Sequence, residues 1–437
     1  MIESCLAKIK NRTLVCGVLG LGFVGLPLAI EIAKTGFKTI GFDIQARKIN
    51  LLNAGCSYIS DIAQEDISEL IASHLFEATQ DFSRIAECDF ISICVPTPID
   101  NNQHPDTSYI ENAVQTIAPY IKKNAIIVLE STTYPGTTEE LVKPLLEKGS
   151  NLSCSKDFYL GFSPERVDPG NQVYTIKNTP KVVGAIGNEA LDCIASVYEA
   201  ILDSNVIRVS SPAVAEMEKI LENTYRAINV GLINEMAILC THMGINIWEV
   251  IDAASTKPFG FSSFYPGPGI GGHCIPVDPY YLTWKAQRYN ADASLVEASM
   301  AVNNSMPEWV ATRAEHILSK YNKTIAGARV LILGIAYKQN TNDCRNSPAL
   351  QVIECLRAKK ADVCYHDPWI PQYKHGDNTL KSISDLSTKT LNSIDIVIIT
   401  TAHTNIDYDF IQQHSQVILD TRNAMKNVVN RNNIEVL

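Results

Sequence analysis

Between Thr13 and Asp43 the chain runs through an apolar stretch, a glycine turn, a helical stretch, a second apolar stretch and an acid. Thr13–Val18 is the first apolar run, Gly20-Leu21-Gly22-Phe23-Val24-Gly25 the turn, and Leu26–Gly36 the helical segment. Phe37–Phe42 is the second run, closed by Asp43. This order predicts a βαβ unit, because the apolar period switches from strand to helix and back. A lone G-x-G-x-x-G says little. One that follows a strand, opens a helix and meets an acid after the next strand predicts a dinucleotide site. Gly20 would permit the tight turn, Gly22 would let the backbone approach a pyrophosphate, and Gly25 would let helix and strand pack closely. The helix N-terminus would face the pyrophosphate with its open N–H groups. Asp43 would accept from the adenosine ribose hydroxyls and repel a 2′-phosphate, which favours NAD over NADP. Lys48 and Arg47, about one turn further on, would reach the adenosine end, and Arg47 weakens the case against NADP slightly.

Further apolar runs at Phe90–Val95, Ala125–Leu129 and Phe158–Phe162, with helical stretches between them, predict a parallel sheet covered on both faces. The pattern then changes. From Pro212 to about Met243 the chain reads as one long helix, with Pro212 in the first turn, Ser210 or Ser211 as cap and Gly244 at the end. A glycine- and proline-rich loop covers Pro258 to Pro279, and another helix covers about Ala291 to Tyr321. Alternation returns at Arg329–Leu333, Gly334, a helix from about Ser347 to Ala358, and Asp362–Tyr365 ending in His366-Asp367. This is a weak repeat of the first unit, with Gly334-Ile335-Ala336 in place of Gly20-Leu21-Gly22. Ile394–Thr400 and Gln416–Asp420 supply further strands. The expected fold is α/β: two Rossmann-like parallel-sheet domains, 1–209 and 323–437, joined by a central helical domain, 210–322, that carries the long helix.

A chain of 437 residues with 46% hydrophobic content can bury cores for two or three domains. Its net charge of −10 argues against a general nucleic-acid or anionic-membrane binder. Several of its 12 cysteines lie inside apolar runs and none form C-x-x-C. That is thiol usage in a reducing compartment, and no metal site is expected. No apolar run is long enough for a transmembrane span, and Met1 to Arg12 lacks the apolar core of a signal peptide, so the cytoplasm is the expected location.

The segment Pro266-Gly267-Pro268-Gly269-Ile270-Gly271-Gly272-His273-Cys274-Ile275-Pro276-Val277-Asp278-Pro279 stands out. Glycines let backbone approach a ligand and leave the Cys274 sulfur uncovered, as a reactive thiol needs. Read alone, a structural loop with an incidental cysteine fits equally well. His273 is a candidate activator, yet neighbours in extended chain point to opposite sides, so a packing role fits it at least as well. Lys219 and Asn223, spaced i, i+4, share one face of the long helix, where a plain surface pair is the default.

Several ordered blocks together resemble the UDP-glucose/GDP-mannose dehydrogenase family from end to end. They are Gly20–Gly25, Val95-Pro96-Thr97-Pro98, Glu130-Ser131-Thr132-Thr133, Ser163-Pro164-Glu165, Glu216–Asn229, Gly271–Asp278 and Gly334–Pro348. Glu130–Glu140, Ser163–Asn171, Lys257–Phe261 and Gly271–Pro279 most resemble the bacterial UDP-N-acetylglucosamine 6-dehydrogenases of surface-polysaccharide synthesis.

The resemblance implies a four-electron oxidation of the sugar C6 alcohol with two NAD consumed, through a thiohemiacetal and a thioester on Cys274. It implies that Lys219 stabilises oxyanion charge with help from Asn223. Asp278 would work with that lysine and a water, Thr132 would help hold the water, and Glu165 would be the base for thioester hydrolysis. Phe23, Val24, Pro96, Thr97, Thr132 and Arg345 would line the cofactor. Glu165, Lys219, Asn223, Lys257, Tyr265, Gly267, Gly271 and Lys338 would line the nucleotide sugar. Ordinary salt bridging, for Arg345 with Asp343, is the plain alternative. Some relatives carry a second glutamate where this chain has Pro169, preceded by Asp168, so that glutamate's role is left unassigned. A UDP-sugar substrate and a homodimer or higher oligomer, built on the long helix, are the implied partners. UDP-glucose, UDP-N-acetylgalactosamine and UDP-N-acetylmannosamine are the alternative substrates. A two-electron hydroxyacid-type dehydrogenase and a non-catalytic NAD or nucleotide-sugar sensor are the rival functions; the glycine-flanked Cys274 and the third domain argue against the first.

Overall fold

The computed structural model describes residues 2–59, 62–100, 102–166, 171, 173–375 and 378–437. Asp168 and Pro169 lie outside the described residues. Contacts divide the chain into two compact units, Met1–Glu222 with Tyr280–Ala291, and Asn223–Pro279 with Asp292–Leu437.

The first unit holds an eight-stranded sheet. Its strands are β1 (Val15–Leu19), β2 (Lys38–Phe42), β3 (Phe76–Thr79), β4 (Phe90–Ile93), β5 (Ile126–Leu129), β6 (Tyr159–Phe162), β7 (Lys181–Ala185) and β8 (Val206–Val209). Their order is β3-β2-β1-β4-β5-β6-β7-β8. The order reverses between β1 and β4, and ligands of open α/β sheets bind outside the carboxyl ends of the strands at such a switch. Alternate residues feed two apolar layers. Val18 and Phe90 join one, Leu19, Ile91 and Ile93 the other, so both faces are covered.

The expected parallel sheet forms, and the structure adds a reversed pair of strands that no apolar run announced. Strands β1 to β6 are mutually parallel, but β7 pairs with β6 antiparallel, with Phe162 opposite Gly184, and β8 follows β7 in parallel. Run length and period define a strand but not its direction, which the chain path sets. The Ile2–Lys10 segment, which lacks a signal peptide's apolar core, is a helix that buries Cys5 and Ile9.

The Pro212–Met243 segment is one helix, with Pro212 at its first position and Gly244 at φ +70° beyond its end. Proline pre-sets φ at a helix start, and glycine alone takes a positive φ without strain at its end. Ile247–Ser255 and Ser294–Lys320 are further helices. The second unit's sheet contains β9 (Arg329–Leu333), β10 (Asp362–His366), β13 (Ile396–Ile399), β14 (Ile418–Asp420) and β15 (Ile434–Val436), all parallel, in the order β10-β9-β13-β14-β15. Strands β11 (Gln372–His375) and β12 (Asn378–Lys381) form a separate antiparallel hairpin. The Pro348–Ala358 helix is capped by the Ser347 hydroxyl, which accepts from the Ala349 amide. Among the described residues no helix is long and apolar enough to cross a membrane.

Candidate active site

The glycine turn sits between β1 and the Gly25–Lys34 helix. Gly20 adopts φ +86°, and a Cβ there would lie 2.5 Å from the Cys94 carbonyl oxygen. A Cβ on Gly25 would collide with the Gly20 carbonyl oxygen. Around Gly22 a Cβ would meet nothing within 4 Å. The first and third glycines are thus required by the protein's own backbone. The second faces open space before a helix N-terminus, where an anionic ligand is favoured. Asp43 is buried and accepts from the Leu21 amide at 3.0 Å and the Gln45 amide at 2.9 Å. The Lys48 ammonium sits 2.8 Å from the same carboxylate, so it balances Asp43's charge besides standing near the turn. Tyr58 donates to the Leu21 carbonyl at 2.5 Å, and burial pushes its phenol above the ordinary range. Phe23 is exposed and Val24 half-buried, and Arg47 is exposed.

Pro96 and Thr97 follow β4, and the Thr97 carbonyl accepts from the Tyr281 hydroxyl. Thr132 is half-buried after β5, between Ser131, whose hydroxyl donates to the Val95 carbonyl at 2.8 Å, and Thr133, 3.2 Å from the Thr137 hydroxyl. Glu216, on the long helix, accepts from the Gly136 amide at 2.5 Å and from the Thr138 amide and hydroxyl at 2.9 and 2.7 Å. Burial raises its carboxyl pKa in spite of these bonds. Lys219, one turn on, is buried and donates to the Glu165 carbonyl oxygen at 2.5 Å. The structure therefore brings Lys219 and Glu165 together, through the glutamate's main chain.

In the second unit, Asn223 is buried and its amide donates to the Asp278 carboxylate. Asp278 follows Cys274 by one helical turn, its amide donating to the Cys274 carbonyl at 2.8 Å. Of the twelve cysteines, Cys274 alone is exposed. A Cβ on Gly271 would lie 2.8 Å from the Tyr337 Cβ, and one on Gly272 would lie 3.2 Å from the Tyr337 ring. The glycines are what allow the cysteine loop to rest on the loop after β9. Asn346 donates to the Gly272 carbonyl at 3.1 Å. His273 Nε2 is 3.6 Å from Asp343, and Arg345 pairs with the same carboxylate at 2.7 Å. Burial, then the Arg345 charge, lowers the His273 pKa, with Asp343 opposing. Lys338 is half-buried, Lys257 is exposed with its ammonium over the Phe259 ring, and Tyr265 is exposed with its ring stacked on Trp248 at 5.9 Å.

Sequence reasoning missed Arg422. Its Nε donates to the Thr400 carbonyl at 3.1 Å, and a Cβ on Gly267 would collide with its guanidinium. Burial, partly offset by Asp420, lowers its pKa. The available signal was its place just past β14, at the carboxyl edge where ligand-facing residues of such sheets gather.

Comparison with known proteins decides what this geometry serves. Residues 14–202 match the NAD binding domain of the UDP-glucose/GDP-mannose dehydrogenase family, residues 213–305 its central domain and residues 331–427 its UDP binding domain. The chain belongs to the UDP-glucose/GDP-mannose dehydrogenase family. It is 36% identical to a Pseudomonas aeruginosa UDP-N-acetyl-D-glucosamine 6-dehydrogenase, over 90% of this chain and 91% of that one. It is 35% identical to the Staphylococcus aureus protein CapL, over 98% of each. The solved structure of a UDP-D-ManNAc dehydrogenase from Pyrococcus horikoshii superposes with a TM-score of 0.87 at 31% identity, covering 97% of this chain and 99% of that one. This UDP-sugar dehydrogenase uses NAD. The open space at Gly22, the helix N-terminus beyond it and the buried Asp43 carboxylate fit that cofactor.

Proposed function

We propose that this dehydrogenase oxidises the C6 hydroxymethyl group of UDP-N-acetyl-D-glucosamine to the carboxylate, for surface-polysaccharide synthesis in the cytoplasm. The observation that carries the covalent mechanism is the exposure of Cys274, alone among twelve cysteines, on a glycine loop. NAD, when bound, takes up a hydride in each of two oxidations. The Cys274 thiolate adds to the C6 aldehyde formed first, giving a thiohemiacetal whose sp³ carbon can release the second hydride. Water then attacks the resulting thioester; the C–S bond breaks, the acid leaves, and Glu165 takes the water's proton. Lys219 offsets the developing oxyanion with Asn223 beside it, while Asp278 and Thr132 hold the water. Arg345 serves the cofactor side, and Lys257, Tyr265, Gly267, Gly271 and Lys338 the sugar side.

Segments 1–209, 210–322 and 323–437 act as NAD, dimerisation and nucleotide-sugar domains. Dimerisation is supported by an exposed apolar stripe on the Pro212–Met243 helix, formed by Met217, Leu221, Tyr225, Leu232, Leu239 and Met243 at helical spacing. The substrate choice is supported by the relative of that name; UDP-N-acetyl-D-mannosamine is the second reading, favoured by the Pyrococcus structure. An NADH-release assay over a panel of UDP-sugars tests it. Two NADH per UDP-N-acetylglucosamine is the expected yield, and turnover of another sugar in its place would reassign the substrate. Cys274→Ser should stop acid formation; normal uronate yield from that variant would remove Cys274 from its role.

A further inference from the structure

Reversal of β7 brings an unassigned lysine to the functional edge of the sheet. Strands β4, β5 and β6 end at the carboxyl edge with Ile93, Leu129 and Phe162. Because β7 runs the other way, its first residue, Lys181, lies at that same edge. Phe162 pairs with Gly184, and continuing this register sets Lys181 opposite Glu165.

The Lys181 ammonium is buried and makes four contacts. It is 2.7 Å from Glu130 Oε2, 3.9 Å from Glu165 Oε2, 3.4 Å from the Pro164 carbonyl oxygen and 5.0 Å from the centre of the Tyr198 ring. Glu130, the residue after β5, is buried as well, and its other oxygen accepts from Ser92 and Tyr198, each at 2.7 Å. Burial works against the lysine's charge, but Glu130 and then Glu165 outweigh it and hold the pKa above the usual lysine value. Glu130 alone would neutralise one cation. The second carboxylate is the one the hydrolytic step needs as an anion. The main chain on either side is also gripped, since Lys181 holds the Pro164 carbonyl and Lys219 the Glu165 carbonyl.

We propose that Lys181, anchored by Glu130, is a positioning residue that aims the Glu165 carboxylate for thioester hydrolysis. The proposal rests on the reading of Glu165 as the base for that step. Water supplies the new C–O bond and its proton passes to Glu165. The C–S bond breaks with its electron pair on sulfur, and Lys181 neither gains nor loses a proton.

Removing Lys181 alone would strand Glu130 as a buried, unpaired charge. The test therefore uses Lys181→Met combined with Glu130→Gln, which removes both charges while an amide oxygen still accepts from Ser92 and Tyr198. Lys181→Arg is the conservative variant and Glu165→Gln the control. Each full-length protein is mixed rapidly with NAD and the UDP-sugar that the panel assay selects, then quenched for intact-protein mass and NADH yield. The double variant should release its first two NADH per site at nearly the wild-type rate and then stall. Its acyl adduct on Cys274 should accumulate and its turnover fall by about tenfold or more. Lys181→Arg should restore most of that loss. If Glu165→Gln stalls at the adduct while the folded double variant hydrolyses it normally, the role of Lys181 is overturned and Glu165 remains the base. If Glu165→Gln itself hydrolyses the adduct at the wild-type rate, the base assignment fails and the proposal falls with it. A double variant that does not fold is replaced by Lys181→Gln with Glu130→Gln, a neutral and still hydrogen-bonding pair, where normal hydrolysis overturns the proposal equally.

Discussion

Gly20 and Gly334 occupy the same place in two βαβ units. Each has a positive φ, +86° and +84°, and each amide donates at 2.8 Å to the last residue of the next strand, Phe42 or His366. In both units the acid after that strand turns back to the glycine turn. Asp43 accepts from Leu21 at 3.0 Å, and Asp367 from Ile335 and Ala336 at 2.7 and 2.9 Å. The difference lies in what else each carboxylate holds. Asp43 pairs with Lys48, which is partly exposed, beside the open space at Gly22. Asp367 also takes the amides of Trp369 and Ile370 and the Nε2 of His403, and both side chains of that pair are wholly buried. The Asn340 main-chain amide donates to His403 Nδ1 at 3.0 Å, so His403 ties the acid to the loop after β9. One scaffold thus leaves its acid beside open space, while the other uses its acid to hold a loop. The same local geometry does not imply the same ligand.

Filling the space at Gly22 should break this contrast most severely. Gly22→Val should raise the KM for NAD by about 100-fold or more with little change in melting temperature, since the side chain meets ligand space and not protein. Unchanged NAD kinetics would mean the open space is not the cofactor's. His403→Ala should leave NAD affinity unchanged but cost about 3 kcal/mol of stability in urea unfolding, because it strands a buried carboxylate. Burial raises the Asp367 pKa, but the bond and charge of His403 and the backbone amides outweigh it, so the pKa is lowered in the folded protein. A lowered carboxyl pKa contributes stability above the unfolded value, near pH 4, and loses it as pH falls through the folded value. The gap between wild type and His403→Ala should therefore narrow below about pH 4; a gap that widens in acid would contradict the pairing. Asp43→Asn should lower kcat/KM for NAD by about tenfold and narrow its advantage over NADP, with Arg47 and Lys48 then facing a 2′-phosphate unopposed. Lys48→Ala should change NAD affinity by no more than a few-fold, since a partly exposed pair is worth about 1 kcal/mol or less; a much larger loss would give Lys48 a direct hold on the cofactor.

Elements defined by short-range pattern were legible. The Gly20–Gly25 turn, the Pro212–Met243 helix and β9 stand where periodicity, proline and glycine set them. Cys274 was legible as a candidate because a glycine-dense loop precedes it, and in the structure it is exposed. Partnerships were less legible. Nothing near Lys219 in sequence announces the Glu165 carbonyl, and nothing near Asp278 announces Asn223, because 54 and 55 residues separate the members of each pair.

The sequence by itself determined the two βαβ units, the long helix and the NAD fingerprint, since each is set by residues within a few turns of one another. Only the tertiary structure decided the direction of β7, the burial of His403 against Asp367, and the placing of Arg422 at Gly267. Strand direction and buried charge pairing depend on how distant segments share one sheet edge and one low-dielectric interior, and a local pattern carries neither.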